Sequence, residues 1–386
     1  MPEKKFRIIV IGAGFSKPAG LPLANELWAE ILGRSNSLSG RAEKLLDDLD
    51  DYIQFRHDCD GIEITRETVN FEEFLGFLDI EHYLGLRGSD TWSRDGNEGQ
   101  VVVKTLIAEI LSQHMPPPNR IPDLYLEFAS RLQPNDYILT FNYDVLLERA
   151  LDAVGKPYRL FPNRFKSLSK GGGGTLDSDK DEVTVLKLHG SIDWFDKTEY
   201  IQRVAYFKEQ GAPGLPSHPV FNSSKNWGLK RLVDGPRHKT DPLLNMYRAT
   251  NIEALYRQQI LFLATPWMLS PSTNKVLYSS PLEDFWHGLG QAGVMNFGVA
   301  IIGYSLPAHD GYARQSLYSL VKNYQDNYWE EGVCGHKKTP LVVVDYRDSA
   351  ASRKELLNNY RFIDINKTEL HLSGFDTASL DKIFAE

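Results

Sequence analysis

The sequence predicts an α/β protein with a doubly wound parallel sheet and an inserted helical lobe. Short apolar runs of strand type alternate with longer segments whose apolar residues recur at helical spacing, and this alternation is typical of parallel sheets. A succession of helical patterns separates the first strand from the second, which indicates an insertion in that crossover. We therefore expect one α/β domain over residues 1–386, with the helical insertion at about 23–132.

Each element is predicted from its local pattern. Residues 8–11 are an unbroken β-branched run, so Arg7–Ile11 is predicted as a buried strand. Apolar spacing predicts helices at 23–32, 41–55, 71–83, 101–113, 123–132, 145–154, 282–292 and 312–324. Apolar runs predict further strands at 137–140, 183–188, 260–264, 299–302 and 341–345, followed by αβα-like material at the C-terminus.

Two segments are predicted to be irregular. Residues 196–257 are polar and rich in proline and glycine, and they are expected to form an irregular insertion. The run GGGGT at 171–175 lacks the lysine and hydroxyl residue of a phosphate-binding P-loop. We therefore interpret residues 171–174 as a flexible surface loop.

Composition excludes several classes of protein. The chain has 43 basic and 51 acidic side chains and a net charge of −8, so no direct nucleic-acid binding is expected. Its two cysteines, Cys59 and Cys334, are far apart, which predicts neither a disulfide framework nor a zinc site, and no metal is expected. The sequence contains neither a signal-peptide core nor a membrane-spanning run. A cytoplasmic protein without a membrane partner is the expectation.

A glycine turn directly follows the first strand. In GAGFS, Gly12 and Gly14 leave room for a pyrophosphate to approach the backbone, and the next helix would offer free N–H groups. Lys17 stands where a dinucleotide fingerprint would place its third glycine, which argues against an ordinary hydride-transferring dehydrogenase. A tight turn without a ligand is the alternative interpretation of this motif.

Polar residues also follow four later strands, where a Rossmann-like sheet places its ligands. Each has a local alternative: Asn142, Ser305 and Asp345 could cap helices or turns, and His189 could be a packed structural histidine. Taken together they predict one site at the carboxyl edge of the sheet. The motifs are TFNYD with Asn142 and Asp144, LHG with His189, GYSL with Gly303, Tyr304 and Ser305, and VVD with Asp345.

These motifs, in this order, resemble those of the sirtuin-like family. The resemblance implies a dinucleotide site that binds NAD. Its cofactor-binding residues would be Gly12, Ala13, Gly14, Ser16, Gly303, Tyr304, Ser305 and Asp345. It places Asn142, Asp144 and His189 around the nicotinamide ribose.

The chain departs from the protein deacylases of that family in two respects. The two cysteines cannot supply their four zinc ligands, and Gly20-Leu21-Pro22-Leu23-Ala24 stands where they continue into Gly-Ile-Pro-Asp-Phe-Arg. The remaining features resemble bacterial sirtuin-like proteins of anti-phage defence, which hydrolyse NAD. That resemblance further implies a homo-oligomer and a HerA-type ATPase as partner.

The predicted reaction is cleavage of the nicotinamide–ribose bond by water. Asn142 would bind a ribose hydroxyl and position the water, and His189 would accept its proton, since an imidazole titrates near neutral pH. Asp144 would orient these groups or support them electrostatically. Three alternatives stay open: a non-catalytic sensor of NAD or ADP-ribose, an NAD-dependent protein deacylase, and a nuclease-like or structural component of a defence complex.

Overall fold

A computed structural model describes residues 6–35, 43–87, 96–170, 173–257, 265–269, 280–333 and 336–385. The chain divides into two compact units. The first comprises Met1–Leu23, Met115–His189 and Leu282–Glu386, and the second comprises Ala24–His114 and Gly190–Pro281. The second unit takes most of the predicted helical insertion at 23–132 and all of the predicted irregular insertion at 196–257. One functional domain over residues 1–386 stays a prediction.

Strands and helices are numbered in chain order. The strands are β1 (Arg7–Ile11), β2 (Tyr137–Thr140), β3 (Tyr158–Arg159), β4 (Phe165–Leu168), β5 (Gly174–Leu176), β6 (Val183–Lys187), β7 (Trp194–Asp196), β8 (Leu229–Arg231), β9 (Met246–Ala249), β10 (Gly298–Ile302), β11 (Leu341–Val344) and β12 (Thr368–His371). The helices are α1 (Ala13–Ser16), α2 (Ala24–Ser35), α3 (Lys44–Asp60), α4 (Phe71–Leu84), α5 (Glu98–His114), α6 (Asp123–Arg131), α7 (Leu146–Ala153), α8 (Thr198–Glu209), α9 (Ile252–Tyr256), α10 (Glu283–Trp286), α11 (Gly311–Asp326), α12 (Ala350–Asn359) and α13 (Thr377–Ile383).

The first unit contains a seven-stranded sheet in the order β12-β11-β10-β1-β2-β6-β3, and every neighbouring pair is parallel. The central strands are buried apolar runs, as parallel strands covered on both faces require. The predicted α/β class with a parallel sheet is confirmed. From β1 the chain builds the sheet outward through β2 and β6, and it later returns to the other side of β1 through β10. The boundary between β1 and β10 is therefore a topological switch point, where ligands bind in sheets of this kind.

Most predicted elements lie within a few residues of the observed ones, because strong periodicity identifies an element better than its ends. The predicted helix at 282–292 is wrong in form: α10 spans four residues, and a separate 3₁₀ turn follows at Leu289–Gln291. His287 is extended and ends α10, and Gly288 follows with φ +74° before the 3₁₀ turn. The predicted strand at 260–264 lies outside the described residues.

The predicted loop at 171–174 needs a partial correction. Gly174 begins β5, which pairs with β4 in an antiparallel hairpin. A side chain at Gly174 would place its Cβ 2.7 Å from the Phe165 ring, so the glycine serves the pairing of the two strands. Residues 171 and 172 lie outside the described residues.

The second unit holds the helices α2 to α5, α8 and α9 and a three-stranded antiparallel sheet in the order β7-β9-β8. The irregular insertion predicted at 196–257 is thus partly regular, since α8, β8, β9 and α9 all lie in it. The three strands of this sheet are three or four residues long, and β8 (LKR) and β9 (MYRA) lack the continuous apolar run that predicted the equally short β2 (YILT). Across the described part of the chain, the helices fall short of the length and apolar character that a bilayer crossing demands.

A histidine in this second unit makes its stability depend on pH. The Nδ1 atom of His218 accepts hydrogen bonds from the backbone N–H groups of Val220 and Phe221, both at 3.1 Å. Burial, aided by the charge of Arg203, lowers the pKa of His218 from 6.5 to about 4. Because the folded state holds the neutral imidazole, this contribution to stability is complete above pH 6.5 and is lost as the pH falls towards 4.

We expect the second unit to lose on the order of 1 kcal/mol between pH 7 and pH 5 through His218, allowing for solvent screening. His218→Asn retains a side-chain acceptor for the turn but does not titrate. Urea unfolding at the two pH values should therefore show a smaller pH dependence in the variant than in the wild type. An equal pH dependence in both proteins would contradict this role.

Candidate functional site

Two glycine turns pack directly against each other at the switch point. The N–H of Gly12 donates to the carbonyl of Ile302, and the N–H of Gly14 donates to the carbonyl of Gly303, each at 2.9 Å. A Cβ on Gly12 would lie 2.6 Å from the Gly303 carbonyl oxygen, and one on Gly14 would lie 2.7 Å from the Gly303 Cα. The backbone of the turn after β1 therefore packs directly against the backbone of the turn after β10 and is hydrogen-bonded to it.

This packing accounts for the glycines in GAG without reference to a ligand. The helix expected after the turn is short: α1 has four residues, and a 3₁₀ turn at Lys17–Ala19 ends at Gly20. A helix this short supplies little of the dipole that favours a phosphate at longer helices. Ala13 is exposed and Gly14 half-buried at this turn, so its outer surface is accessible.

The fourth residue of the motif, Phe15, anchors the turn in the core. Its ring packs against Tyr125, Phe128 and Phe375, with centroid distances of 5.2, 5.2 and 4.7 Å. The hydroxyl of Tyr125 donates to the Phe15 carbonyl at 2.8 Å. The aromatic cluster thereby sets the position of the two residues on either side, Gly14 and Ser16.

Three of the predicted site residues form one buried hydrogen-bond chain. The Nδ2 group of Asn142 donates to the Gly12 carbonyl at 3.0 Å and to Oγ of Ser16 at 3.1 Å. Oγ of Ser16 in turn donates to Oδ2 of Asp144 at 2.8 Å. TFNYD after β2 and GAGFS after β1 are thus joined through side chains. Their predicted proximity is realised, with Ser16 at the centre of the chain.

Asp144 contacts a buried ion pair, Lys187 with Glu148, that the sequence analysis did not predict. Oδ1 of Asp144 accepts a hydrogen bond from the N–H of Leu146 at 3.0 Å, which helps to begin α7. Lys187, at the end of β6, donates to the backbone carbonyl of Asp144 and lies 3.0 Å from Oε1 of Glu148. Burial raises the pKa of the Asp144 carboxyl, and the positive charge of Lys187 opposes that shift. A lysine inside the strand pattern VTVLKL was the available signal.

His189 belongs to a second cluster, centred on Asp310, which was not among the predicted site residues. The Nε2 atom of His189 lies 3.5 Å from Oδ2 of Asp310, and the hydroxyl of Tyr304 donates to the same oxygen at 2.6 Å. Phe141 stacks on Tyr304 with a centroid distance of 4.2 Å and meets His189 edge-on at 4.9 Å. The ends of β2, β6 and β10 are therefore connected by contacts between side chains.

The other two predicted residues lie at the same edge but in different surroundings. Ser305 is exposed, and its backbone carbonyl accepts a hydrogen bond from Asn359 at 3.0 Å. The Asp345 carboxylate, directly after β11, is 3.0 Å from the Arg347 guanidinium and also accepts from the N–H of Tyr346. Asp345 is thus already paired with a cation. Its predicted role at an adenosine ribose stays a prediction.

The predicted residues therefore form two groups within the first unit. Asn142, Ser16 and Asp144 make up a group against the glycine turn, and His189 makes up a group with Asp310 and Tyr304. Phe141, adjacent to Asn142 in the sequence, connects them. Among the described residues, no group of three or more histidine, cysteine, aspartate or glutamate side chains could hold a metal ion. Cys59 is exposed, and Cys334 lies outside the described residues.

Residues 136–225 match the family model of the SIR2-like domain. The chain is similar to sirtuins over this segment, which contains TFNYD and LHG and therefore Asn142, Asp144 and His189. The glycine turns at Gly12–Gly14 and at Gly303 lie outside the matched residues.

Two solved structures are only weakly similar to this chain. A structure from a study of the mechanism and regulation of Sir2 enzymes matches at 11% identity with a TM-score of 0.34, over 98% of this chain and 91% of that one. One concerning the structural basis of sirtuin substrate affinity matches at 13% identity with a TM-score of 0.32, over 98% and 92% of the two chains. TM-scores this low do not establish a shared fold, so the fold assignment depends on the strand order. No curated protein matches the sequence.

Proposed function

We propose that this protein is an NAD glycohydrolase, which cleaves the nicotinamide–ribose bond to give nicotinamide and ADP-ribose. The observation that supports it most is the position of Asn142 and His189. Both are buried and directly follow the neighbouring parallel strands β2 and β6, within the SIR2-like segment and beside the switch point. A dinucleotide in the crevice outside the strand ends would bring its scissile bond to these two side chains.

The chemistry requires little of the protein beyond positioning. The C1′–N bond breaks and its electron pair leaves with neutral nicotinamide, so the leaving group needs no proton. A water oxygen forms the new bond to C1′, and its proton passes to His189 and then to solvent. The balance is NAD⁺ and water giving nicotinamide, ADP-ribose and one proton. Holding water and ribose in line is the main contribution expected from Asn142.

The test is turnover of NAD by the purified full chain, with nicotinamide and ADP-ribose quantified separately by chromatography. Asn142→Ala should reduce the rate about 100-fold or more, since both the ribose contact and the water position are lost. The exposed Asn366 lies in the same unit and provides a control, Asn366→Ala, that should behave like the wild type. Equal rates for Asn142→Ala and the wild type would contradict the assigned role.

One observation favours a second candidate, a non-catalytic sensor of NAD or ADP-ribose. Both protons of the Asn142 amide are committed to Gly12 and Ser16, as they would be in a residue that serves the architecture of the turn. Calorimetry distinguishes the candidates. Saturable binding of NAD with no nicotinamide release, in the presence and absence of a partner, would favour the sensor and overturn the hydrolase.

The resemblance to sirtuin-like proteins also implies a biological setting, anti-phage defence. An NAD hydrolase that was always active would deplete the NAD of its host. Its activity therefore has to be controlled, either by assembly or by a partner subunit. We therefore propose a homo-oligomer that acts in anti-phage defence with a HerA-type ATPase. Mass photometry of the chain with and without such an ATPase checks this. A monomer under both conditions would contradict the assembly.

A further inference from the structure

We propose that Asp310 is the positioning residue of His189, holding its imidazole in the orientation and tautomer that accept a proton. This inference rests on the proposed hydrolysis of NAD. Asp310 lies six residues after Tyr304 in GYSLPAHD, and its contacts with His189 and Tyr304 connect the ends of β6 and β10.

The first observation is that the Asp310 side chain does not cap its helix, although an aspartate at this position usually does. It is the N-cap residue of the 16-residue helix α11, yet its side chain makes no capping hydrogen bond. A capping aspartate ordinarily stabilises a helix through that bond. Asp364 and Asp376, at two other N-caps of this unit, do make it. The Asp310 carboxylate is instead turned inward to Tyr304 and His189.

The second observation is burial. Asp310 is 3% exposed and His189 is 4% exposed, so the pair is shielded from solvent. At 3.5 Å from Nε2 of His189 to Oδ2 of Asp310, the separation suits an ion pair when the imidazole is protonated. A buried carboxylate is costly unless polar groups compensate it. The Tyr304 hydroxyl and the amino end of α11 provide that compensation.

Among the charged groups described in the first unit, the Asp310 carboxylate approaches the His189 imidazole to 3.5 Å. The ring of Tyr143 lies at a centroid distance of 6.2 Å from the imidazole. Lys187, two residues earlier on β6, is directed to Glu148 and the Asp144 carbonyl. Arg314, on α11, donates to the Leu306 carbonyl at 2.8 Å. Asp310 therefore places a negative charge beside the imidazole.

The arrangement accounts for two requirements of a general base. In the tautomer that we propose, Nε2, which lies 3.5 Å from Oδ2 of Asp310, carries the proton, and the lone pair on Nδ1 accepts the proton of the attacking water. When the imidazole becomes positive, the nearby carboxylate stabilises it. Tyr304 restrains the carboxylate by binding the same oxygen atom. The residues of this pair come from separate turns, so neither motif alone predicts it.

The test compares Asp310→Asn with Asp326→Asn. Asp326 is the exposed last residue of α11, where it pairs with Lys322, and it serves as the control. In Asp310→Asn we expect kcat to fall about 10- to 100-fold with little change in KM. The acidic limb of the kcat/KM profile should move to lower pH, because the imidazolium loses its counter-charge and gives up its proton more easily. Asp310→Glu should recover part of the lost rate.

A second measurement separates this inference from the proposed function. The imidazole of His189 can be titrated by NMR without NAD, with its resonance identified by its loss in His189→Ala. A lower titration midpoint in Asp310→Asn than in the wild type and Asp326→Asn supports the pair. An unchanged midpoint in a variant protein that still hydrolyses NAD overturns the pair but leaves the hydrolase. A shifted midpoint in a protein without turnover overturns the hydrolase, and with it the catalytic use of the pair.

Discussion

Replacing His189 with alanine is expected to slow the release of nicotinamide from NAD by about 100- to 10,000-fold. The substitution removes the group that we assign to accept the water proton, and it also removes an aromatic edge that packs against Phe141 at 4.9 Å. Progress curves of nicotinamide release, measured at saturating NAD, report the chemical step. Binding of NAD by calorimetry should change much less than the rate.

A matched control exists in His57. This exposed histidine in the second unit also has an aspartate partner, with Nδ1 2.8 Å from Oδ1 of Asp58. His57→Ala should therefore show what loss of a histidine–aspartate contact does away from the site, and we expect wild-type rates. If His189→Ala also keeps the wild-type rate while it folds normally, His189 is not the base and the mechanism fails.

Gly303→Ala is expected to be the most disruptive single substitution at the switch point. Its Cβ would lie 2.4 Å from the carbonyl carbon and the Cα of Gly14, far inside van der Waals contact with backbone that cannot rotate away. Gly303 also has φ +60°, where a side chain is strained. We expect a loss of at least about 3 kcal/mol in the free energy of unfolding, or failure to fold. Urea unfolding followed by circular dichroism measures it.

Gly155→Ala separates the two causes. Gly155 lies in the same unit with φ +66°, but a Cβ there would meet nothing within 4 Å. It should lose only about 1 kcal/mol, the cost of the left-handed backbone alone. If both variants lost the same stability, the close packing of the turns after β1 and β10 would not be the reason for Gly303.

Much of the first unit could be predicted because its signals are local. The run Ile8–Ile11 predicts a buried strand wherever it occurs, and the spacing of apolar residues in α3 and α4 predicts helices without reference to a partner. The helix predicted at 282–292 was wrong because the backbone leaves helical geometry at His287 and Gly288, and the spacing of apolar residues does not register such a break. The sheet β7-β9-β8 was not predicted because its short strands β8 and β9 are not continuous apolar runs.

The candidate site was predicted in part for the same reason. Asn142, Asp144 and His189 stand directly after apolar runs, and the ends of parallel strands share one edge. Asp310 has no such marker, since it follows a turn and precedes a helix like many capping aspartates. The Asp310 side chain faces inward because it contacts His189, which is distant along the chain, and Tyr304, which lies on the other side of a turn.

By itself, the sequence determined the class of the protein and the edge of the sheet where chemistry is expected, because both follow from hydrophobic pattern and strand order. The tertiary structure decided what each polar residue contacts. It shows that Gly12 and Gly14 are small so that the turn of Gly303 can pack on them, that Ser16 joins Asn142 to Asp144, and that Asp310 faces His189. Such contacts join residues more than a hundred positions apart, and only the folded backbone brings them within hydrogen-bonding distance.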